Sequence, residues 1–225
     1  MDAAMSTLSD TGINQSFKSG LPETHASVSS KLKRLIDIVG AVIGLSITVL
    51  LFVPIAVAIR LDSPGPIFYQ QTRCGLLGKR FRIWKFRSMI PNAEYLQHAV
   101  QNQAKGLIFK NEADPRVTRV GKFLRRTSLD ELPQFWNVLK GEMSLVGTRP
   151  PTVNEVDQYD LRHWQRLTVK PGITGEWQVK GRSTIRDFEQ VVDLDLRYLQ
   201  HWSVRYDLLL ILKTIWIVLL RHGAY

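Results

Sequence analysis

Residues 125–151 read RRTSLDELPQFWNVLKGEMSLVGTRPP and place two adjacent carboxylates among arginines where a helix is predicted to begin. Asp130 and Glu131 follow Thr127 and Ser128, which are residue types that favour helix starts. The field at a helix N-terminus stabilises the ionised carboxylate that attack on phosphorus or metal binding requires. The stretch therefore predicts a site for phosphoryl transfer.

The same residues also match a capping box. In that motif Ser128 and Glu131 satisfy backbone N–H groups at a helix start, and acidic residues are common in any first turn. Spacing alone leaves both interpretations open, so the neighbouring features of the chain have to decide between them.

Charge indicates the chemistry of the partners. The chain has 225 residues and a formal charge of +10, but residues 1–30 hold one lysine and three acidic residues. The remainder carries 29 basic against 17 acidic residues, so its partners are expected to be anionic: nucleic acid, acidic lipid headgroups or phosphorylated substrates. Cys74 is the only cysteine, which excludes an intramolecular disulfide framework. Residues 1–30 are rich in Ser, Thr and Gly and are predicted to be a disordered tail.

An apolar segment follows the tail. Ile38–Ile59 contains no charged residue and would reach roughly 33 Å as a helix, enough to cross a hydrocarbon core of about 30 Å. Pro54 lies inside it and predicts a break, and basic residues flank both of its ends. Hydropathy alone predicts a simple transmembrane span, which remains the alternative. We favour a re-entrant membrane hairpin (helix, break, helix) over residues 31–60, followed by a cytoplasmic catalytic domain over residues 61–225 with an interfacial C-terminal helix.

Within that domain the pattern predicts a small β-hairpin and several helices. Ile67–Gln70 and Phe81–Phe86 read as its strands, and the second strand is expected to display cations along one face. Leu208–Leu220 is almost wholly apolar but too short to span, which indicates a helix lying in the membrane interface or packed in the core. The expected fold class is α+β, mainly helical, with interfacial amphipathic helices around a compact catalytic core.

Three Gly-rich or Pro-rich turns are candidate anion sites, because successive amides in such turns can surround a phosphate. They span residues 147–151, 171–175 and 181–183, and each is equally consistent with an ordinary turn. The five histidines show no metal-ligand spacing.

Five ordered blocks carry a family resemblance. They read KLKRLIDIVGA, DSPGPIFYQQTRCG, FRIWKFRSM, RRTSLDELPQFWNVLKGEMSLVGTRPP and VKPGITGEWQV with GRS, followed by a C-terminal HGAY. Together these blocks resemble the bacterial sugar transferases known as polyprenyl-phosphate glycosyl-1-phosphate transferases, in their small monotopic form. The resemblance runs from about Lys31 to Tyr225.

The resemblance implies transfer of a sugar 1-phosphate from a UDP-sugar to polyprenyl (undecaprenyl) phosphate, with release of UMP and with Mg²⁺ as cofactor. A hexose such as glucose or galactose is the expected sugar. Asp130 falls on the family's nucleophile and Glu131 on its partner, and the two carboxylates are the expected metal ligands. The substrate-binding positions implied in the same way are Lys85, Arg87, Arg125, Arg149, Pro150 and Arg182.

The resemblance further implies the bacterial inner membrane, with the catalytic domain on the cytoplasmic face. Implied partners are inner-membrane lipids, a second copy in a homodimer and downstream glycosyltransferases of exopolysaccharide or capsule assembly, but no nucleic acid. Three positions depart from the family pattern: Val53 before Pro54, Thr148 in the Gly-Thr-Arg-Pro turn, and Lys180. Two alternatives remain, a membrane-tethered nucleic-acid-binding protein and a noncatalytic scaffold of a polysaccharide assembly complex.

Overall fold

The computed structural model describes residues 23–181 and 184–220. Its helices are α1 (Ala26–Ser29), α2 (Lys31–Asp62), α3 (Arg119–Arg126), α4 (Phe135–Lys140), α5 (Val153–Val156), α6 (Leu161–Trp164), α7 (Glu176–Gly181), α8 (Phe188–His201) and α9 (Val204–Leu220). Its strands are β1 (Phe68–Cys74), β2 (Arg80–Phe86), β3 (Ser144–Val146) and β4 (Gly172–Thr174). Short 3-10 segments cover Leu76–Gly78, Gln97–Ala99, Leu129–Gln134 and Gln165–Thr168. The prediction of a mainly helical fold with a small sheet and a long apolar N-terminal helix is confirmed.

The predicted hairpin is present and is longer than expected. β1 and β2 pair antiparallel from Phe68 opposite Phe86 to Cys74 opposite Arg80. Directly opposite residues share a face, so the ladder sets Arg80 and Arg82 on the outer face and Lys85 on the inner one. The expectation that the cations lie along one face is therefore wrong for Lys85.

The second sheet explains two of the glycine-rich turns. β3 and β4 pair in parallel. The backbone at Gly147, just after β3, lies close to the backbone at 170–172, where β4 begins. A Cβ atom on Gly147 would lie 2.2 Å from the Lys170 carbonyl oxygen, and one on Gly172 would lie 2.1 Å from the Gly147 nitrogen. Here the glycines serve backbone packing, as the ordinary-turn interpretation expects.

Helix α2 dominates the N-terminal half. Ser30 caps it by accepting a hydrogen bond from the Lys33 N–H at 3.3 Å, and the helix then runs for 32 residues through Pro54 without interruption. Proline removes a single intrahelical hydrogen bond, and a helix with other contacts can tolerate that loss. The expected break at Pro54 is therefore not an end of the helix. Among the described residues α2 is the one helix long and apolar enough to cross a membrane.

Helix α2 also contacts the rest of the chain along its whole length. Polar contacts join it to distant elements, among them Lys33 Nζ to Asp207 Oδ2 (2.7 Å), Asp37 Oδ1 to Ser144 Oγ (2.9 Å), Thr48 Oγ1 to the Leu132 carbonyl (3.3 Å) and Asp62 Oδ2 to the Val120 N–H (2.8 Å). Between them, Ile55 and Ile59 pack with Phe86 and Leu124 in one apolar cluster. The side of α2 that faces away keeps large apolar residues exposed, such as Val49 and Leu50.

The predicted tail is shorter than residues 1–30 at its C-terminal end. The His25 N–H donates to the Thr168 carbonyl at 3.0 Å, and Ser27 in α1 is buried. Residues 23–30 are thus packed on the body, and residues 1–22 lie outside the described part.

Candidate functional site

The two carboxylates lie on the 3-10 segment Leu129–Gln134, which we call the dyad segment. Ser128 before it has φ 55°, a left-handed conformation that turns the chain away from α3, and its side chain makes no cap hydrogen bond. The capping box and the α-helix predicted from Ser128 are therefore wrong, and the α-helix begins at Phe135. A 3-10 segment turns by about 120° per residue, so Asp130 and Glu131 project in different directions.

Helix α2 lies directly against this segment. Besides the hydrogen bond from Thr48 to the Leu132 carbonyl, a Cβ atom on Gly44 would fall 2.3 Å from the ring of Phe135. That approach is open only to glycine. Asp130 is buried, with 4% of its surface exposed. The next residue, Glu131, is partly exposed. The segment that carries the two carboxylates thus packs against the apolar helix.

Lys85 is a cation that contacts the dyad. Its Nζ lies 3.0 Å from Glu131 Oε1, and both side chains remain partly exposed. The strand that carries it is held by Asn137, whose Oδ1 accepts from the Trp84 N–H at 3.2 Å and whose Nδ2 donates to the Arg82 carbonyl at 2.8 Å. Asn137 is fully buried, so α4 docks on β2 through a side-chain amide and fixes Lys85 next to Glu131.

Arg125 lies at the end of α3, close to the end of β2. Its Nε donates to Ser88 Oγ at 2.9 Å, and Ser88 itself is buried. The close approach is possible because Gly121 faces the Ser88 carbonyl, where a Cβ atom would lie 1.9 Å away. The structure therefore brings Arg125 to the strand end that also carries Lys85.

Arg149 is held by an acid that the sequence analysis did not identify. Its Nη1 donates to Glu155 Oε2 at 2.7 Å and its Nη2 donates to Glu155 Oε1 at 3.2 Å, a bidentate pair. Burial alone would raise the pKa of Glu155, but the charge and hydrogen bonds of Arg149 lower it below its usual value. The same pairing raises the pKa of Arg149 against the opposing effect of burial. Pro150, the next residue, is buried, and its carbonyl accepts from Arg73 Nη1 at 3.0 Å.

Arg87 has a structural role in the turn that follows α2, and its predicted substrate contact stays a prediction. Its guanidinium donates to Ser63 Oγ at 2.7 Å and to the backbone carbonyls of Ser63, Pro64 and Pro66 at 2.6–3.0 Å. Arg87 thereby closes that turn. Arg182 lies outside the described residues.

A buried network links the Arg149 loop to α8, and it was also missed. Arg166 pairs with Asp195 at 2.7 Å with both side chains almost fully buried, and it donates to the hydroxyl of Tyr159. Thr148 donates its hydroxyl to the Arg166 carbonyl at 2.9 Å, which gives this departure from the family pattern a structural reason. Sequence carried little signal for this network, because its members lie far apart in the chain.

The donor set fits a magnesium ion that arrives with its substrate. Within the described part of the chain no three His, Cys, Asp or Glu side chains gather as a metal cluster, so the protein alone supplies at most the dyad carboxylates. Mg²⁺ is commonly bound by one or two carboxylates together with substrate phosphates and water. The dyad supplies two carboxylates of this kind, and binding of Mg²⁺ through them stays a prediction.

Comparison with known proteins places this arrangement in a family. A family profile described as "Bacterial sugar transferase" matches residues 28–221. The chain is 52% identical to "Galactosyl transferase CpsE" of Streptococcus agalactiae over 194 residues, and 43% identical to the "UDP-glucose:undecaprenyl-phosphate glucose-1-phosphate transferase" of Escherichia coli over 213 residues. These alignments cover 85% and 89% of the chain but 43% of each relative, so the chain spans less than half the length of these proteins.

A relative of similar length also matches. "Exopolysaccharide production protein ExoY" of Sinorhizobium fredii is 38% identical over 199 residues, which cover 86% of the chain and 88% of that relative. The profile match covers most of the chain and includes the dyad, Lys85, Arg125 and Arg149. The chain belongs to the bacterial sugar transferase family.

Proposed function

We propose that this protein transfers a sugar 1-phosphate from a UDP-sugar to polyprenyl (undecaprenyl) phosphate, releases UMP and initiates exopolysaccharide or capsule assembly. The observation that carries the proposal is the contact between the dyad segment and α2, because it holds two carboxylates and Lys85 beside an apolar helix. The phosphate of a lipid acceptor lies at the level of the headgroups, where such a site has to be. The names of the E. coli and Salmonella relatives, a glucose-1-phosphate transferase and a galactose phosphotransferase acting on undecaprenyl phosphate, support the same reaction.

The first half-reaction uses Asp130 as nucleophile. One of its carboxylate oxygens attacks the phosphorus that bears the sugar, the bond from this phosphorus to the bridging oxygen breaks, and UMP leaves with the bridging oxygen and its electron pair. The product is an aspartyl-phosphosugar. In the second half-reaction a phosphate oxygen of the lipid attacks the same phosphorus and displaces Asp130, which returns as a free carboxylate.

The neighbouring residues have separate roles in this scheme. Lys85 neutralises charge that develops on the phosphoryl oxygens, and its contact with Glu131 keeps the ammonium group beside the reacting centre. Arg125 and Arg149 lie on two other parts of the chain and are assigned to the diphosphate. Asp130 and Glu131 would hold Mg²⁺, which supplies charge neutralisation for the diphosphate when bound.

The reaction is tested with the purified full chain, Mg²⁺, undecaprenyl phosphate and a panel of UDP-glucose, UDP-galactose and UDP-N-acetylgalactosamine. We expect UMP release with a UDP-hexose, and loss of that release in Asp130→Ala. Asp157→Ala, at an exposed aspartate, is the matched control and should keep parental activity. UMP release by Asp130→Ala at the parental rate would remove Asp130 from its assigned role.

We further propose that α2 enters and leaves the membrane on the same side. As a straight span, its 32 residues would reach about 48 Å and would carry one end away from the catalytic body. Lys33 near the start and Asp62 at the end both bond to that body, which supports a re-entrant helix with the body on the cytoplasmic face. Cysteines placed at the exposed Ser29 and Pro64, after Cys74→Ser, should be labelled from the same side in intact cells. Labelling from opposite sides would contradict this topology.

A further inference from the structure

Arg73 in β1 is a largely enclosed cation without an acidic hydrogen-bond partner. Its Nε and Nη2 donate to Gln71 Oε1 at 2.9 and 2.6 Å, and its Nη1 donates to the Pro150 carbonyl at 3.0 Å. All of these acceptors are neutral. A guanidinium has five N–H groups, so two of them find no acceptor among residues 23–181 and 184–220.

The surroundings compensate this charge only in part, since Glu155 attracts Arg73 but forms its hydrogen bonds with Arg149. Arg149 and Arg166 lie nearby, but Glu155 is taken up by the bidentate pair with Arg149 and Asp195 pairs with Arg166. Three arginines therefore share two carboxylates, which leaves one positive charge in excess. Burial, followed by the charge of Arg149, lowers the pKa of Arg73 to about 10. Keeping a cation in such a place is costly unless an anion joins it.

The hairpin register relates Arg73 to the dyad. Arg73 is opposite Phe81, Gln71 is opposite Ile83 and Tyr69 is opposite Lys85, so Arg73 and Lys85 lie on the same inner face. Four residue steps along the strand separate them by about 13 Å. Two long cationic side chains at this spacing can contact one extended ligand. One end of that ligand would lie at Lys85 beside Glu131, and the other would lie at Arg73.

We propose that Arg73 is a donor-binding residue whose two remaining N–H groups hold phosphate oxygens of the nucleotide diphosphate of the UDP-sugar. Gln71 is its positioning residue, because its amide oxygen accepts from both Nε and Nη2 and so fixes the plane of the guanidinium. The inference rests on the proposed function, since it assigns the residue to that reaction's donor.

Binding of UDP and of uridine to the full chain in lipid nanodiscs, followed by titration calorimetry, separates the phosphate contacts from those of the base and ribose. We expect Arg73→Gln to weaken UDP binding by about 10- to 100-fold, as loss of charge-assisted hydrogen bonds implies, while uridine affinity stays within about twofold. Arg73→Lys keeps the charge but loses the planar pair of donors, and should fall between the parent and Arg73→Gln. Arg80→Gln, on the exposed outer face of the same hairpin, is the matched control and should bind UDP as the parent does.

The outcomes distinguish this inference from the proposed function. If the parent binds UDP and neither Arg73 variant changes its affinity, the role of Arg73 is contradicted and the proposed function stands. An equal loss for UDP and uridine also contradicts it, because a purely structural change would weaken both. If the parent itself binds no UDP, the donor assignment of the proposed function fails first. A melting temperature measured for each variant identifies misfolding, and Arg73→Lys then provides the decisive comparison.

Discussion

Lys85 Nζ and Glu131 Oε1 lie 3.0 Å apart, across the contact between β2 and the dyad segment. The pair joins two elements that are far apart in sequence, and it lies next to the buried Asp130. The two carboxylates differ in burial, since Asp130 is buried while the Glu131 side chain remains partly exposed. The proposed reaction gives them different roles, with Asp130 as the nucleophile.

Removing the cation at position 85 should impair the chemical step. We expect Lys85→Met to lower kcat for UMP release by about 10²-fold, which is typical for loss of one group that stabilises transition-state charge. Lys85→Arg keeps the charge and should retain more activity. Lys79→Met, at an exposed lysine on the same hairpin, is the control and should behave as the parent does. Equal kcat values for Lys85→Met and Lys79→Met would rule out the role given to Lys85.

The close approach of α2 to the dyad segment should depend on Gly44. Gly44→Ala would set a methyl group 2.3 Å from the Phe135 ring, and we expect a loss of about 1–3 kcal/mol of stability together with lower activity. Alanine favours a helix over glycine by about 1 kcal/mol, so the intrinsic propensity points the other way. At Gly40→Ala the obstacle is a methyl group of the flexible Leu145 side chain, so the loss should be smaller. Thermal melting and UMP release report the two effects, and a melting temperature for Gly44→Ala at or above that of Gly40→Ala would contradict this packing.

The buried pair of Lys33 and Asp207 should be strongly coupled. Asp207 also accepts hydrogen bonds from the Tyr198 hydroxyl at 2.8 Å and Trp202 Nε1 at 3.1 Å. Asp207→Leu leaves the Lys33 ammonium buried without its partner, and we expect a cost of about 3–5 kcal/mol in the free energy of unfolding. Removing both charges in the double variant Lys33→Met/Asp207→Leu should restore part of the lost free energy of unfolding. Chemical denaturation of both single variants and the double variant measures the coupling, and strictly additive effects would show that the pair does not link α2 to α9.

Stability should fall in acid because Glu155 becomes protonated. Its folded pKa lies below the ordinary value of 4.5, so its contribution is complete above about pH 4.5 and is lost as the pH falls through the folded pKa. Glu155→Gln should cost about 3 kcal/mol at pH 7, where Arg149 loses its counter-ion, and the difference from the parent should shrink in more acidic buffer.

Unfolding at a series of pH values checks the Glu155 prediction. Glu112→Gln, in an exposed pair with Arg186, is the control and should change stability by less than about 1 kcal/mol at every pH. A Glu155→Gln deficit that stays constant down to pH 3 would show that the pair does not titrate as described.

Sequence was sufficient for features that depend on local patterning. The alternation of β2 and the turn before it predicted the hairpin, and the uncharged run of Ile38–Ile59 predicted the apolar helix. The family resemblance placed Lys85 and Glu131 in one site, but their pairing was found only in the structure, because the two residues are 46 positions apart.

The misses have identifiable physical causes. Ser128 adopts a left-handed conformation that propensity does not favour for serine, so the predicted α-helix became a 3-10 segment. Pro54 was given too much weight, since tertiary contacts on both sides of it keep α2 continuous. Arg87 was predicted to bind substrate, but its guanidinium donates to four acceptors of its own chain at Ser63, Pro64 and Pro66. Arg73 was not considered as a ligand, because the predicted first strand ended at Gln70, and only the structure extends β1 to Cys74 and pairs Arg73 with Phe81.

The measurement that tests the central proposal most directly is intact and peptide mass spectrometry of the protein after incubation with Mg²⁺ and a UDP-hexose in the absence of lipid acceptor. The proposed function predicts a hexose-phosphate adduct on the peptide that contains Asp130, which disappears on addition of undecaprenyl phosphate and is absent from Asp130→Asn. Release of UMP and formation of lipid product by Asp130→Asn at the parental rate, with no adduct at Asp130 in the parent, would contradict it.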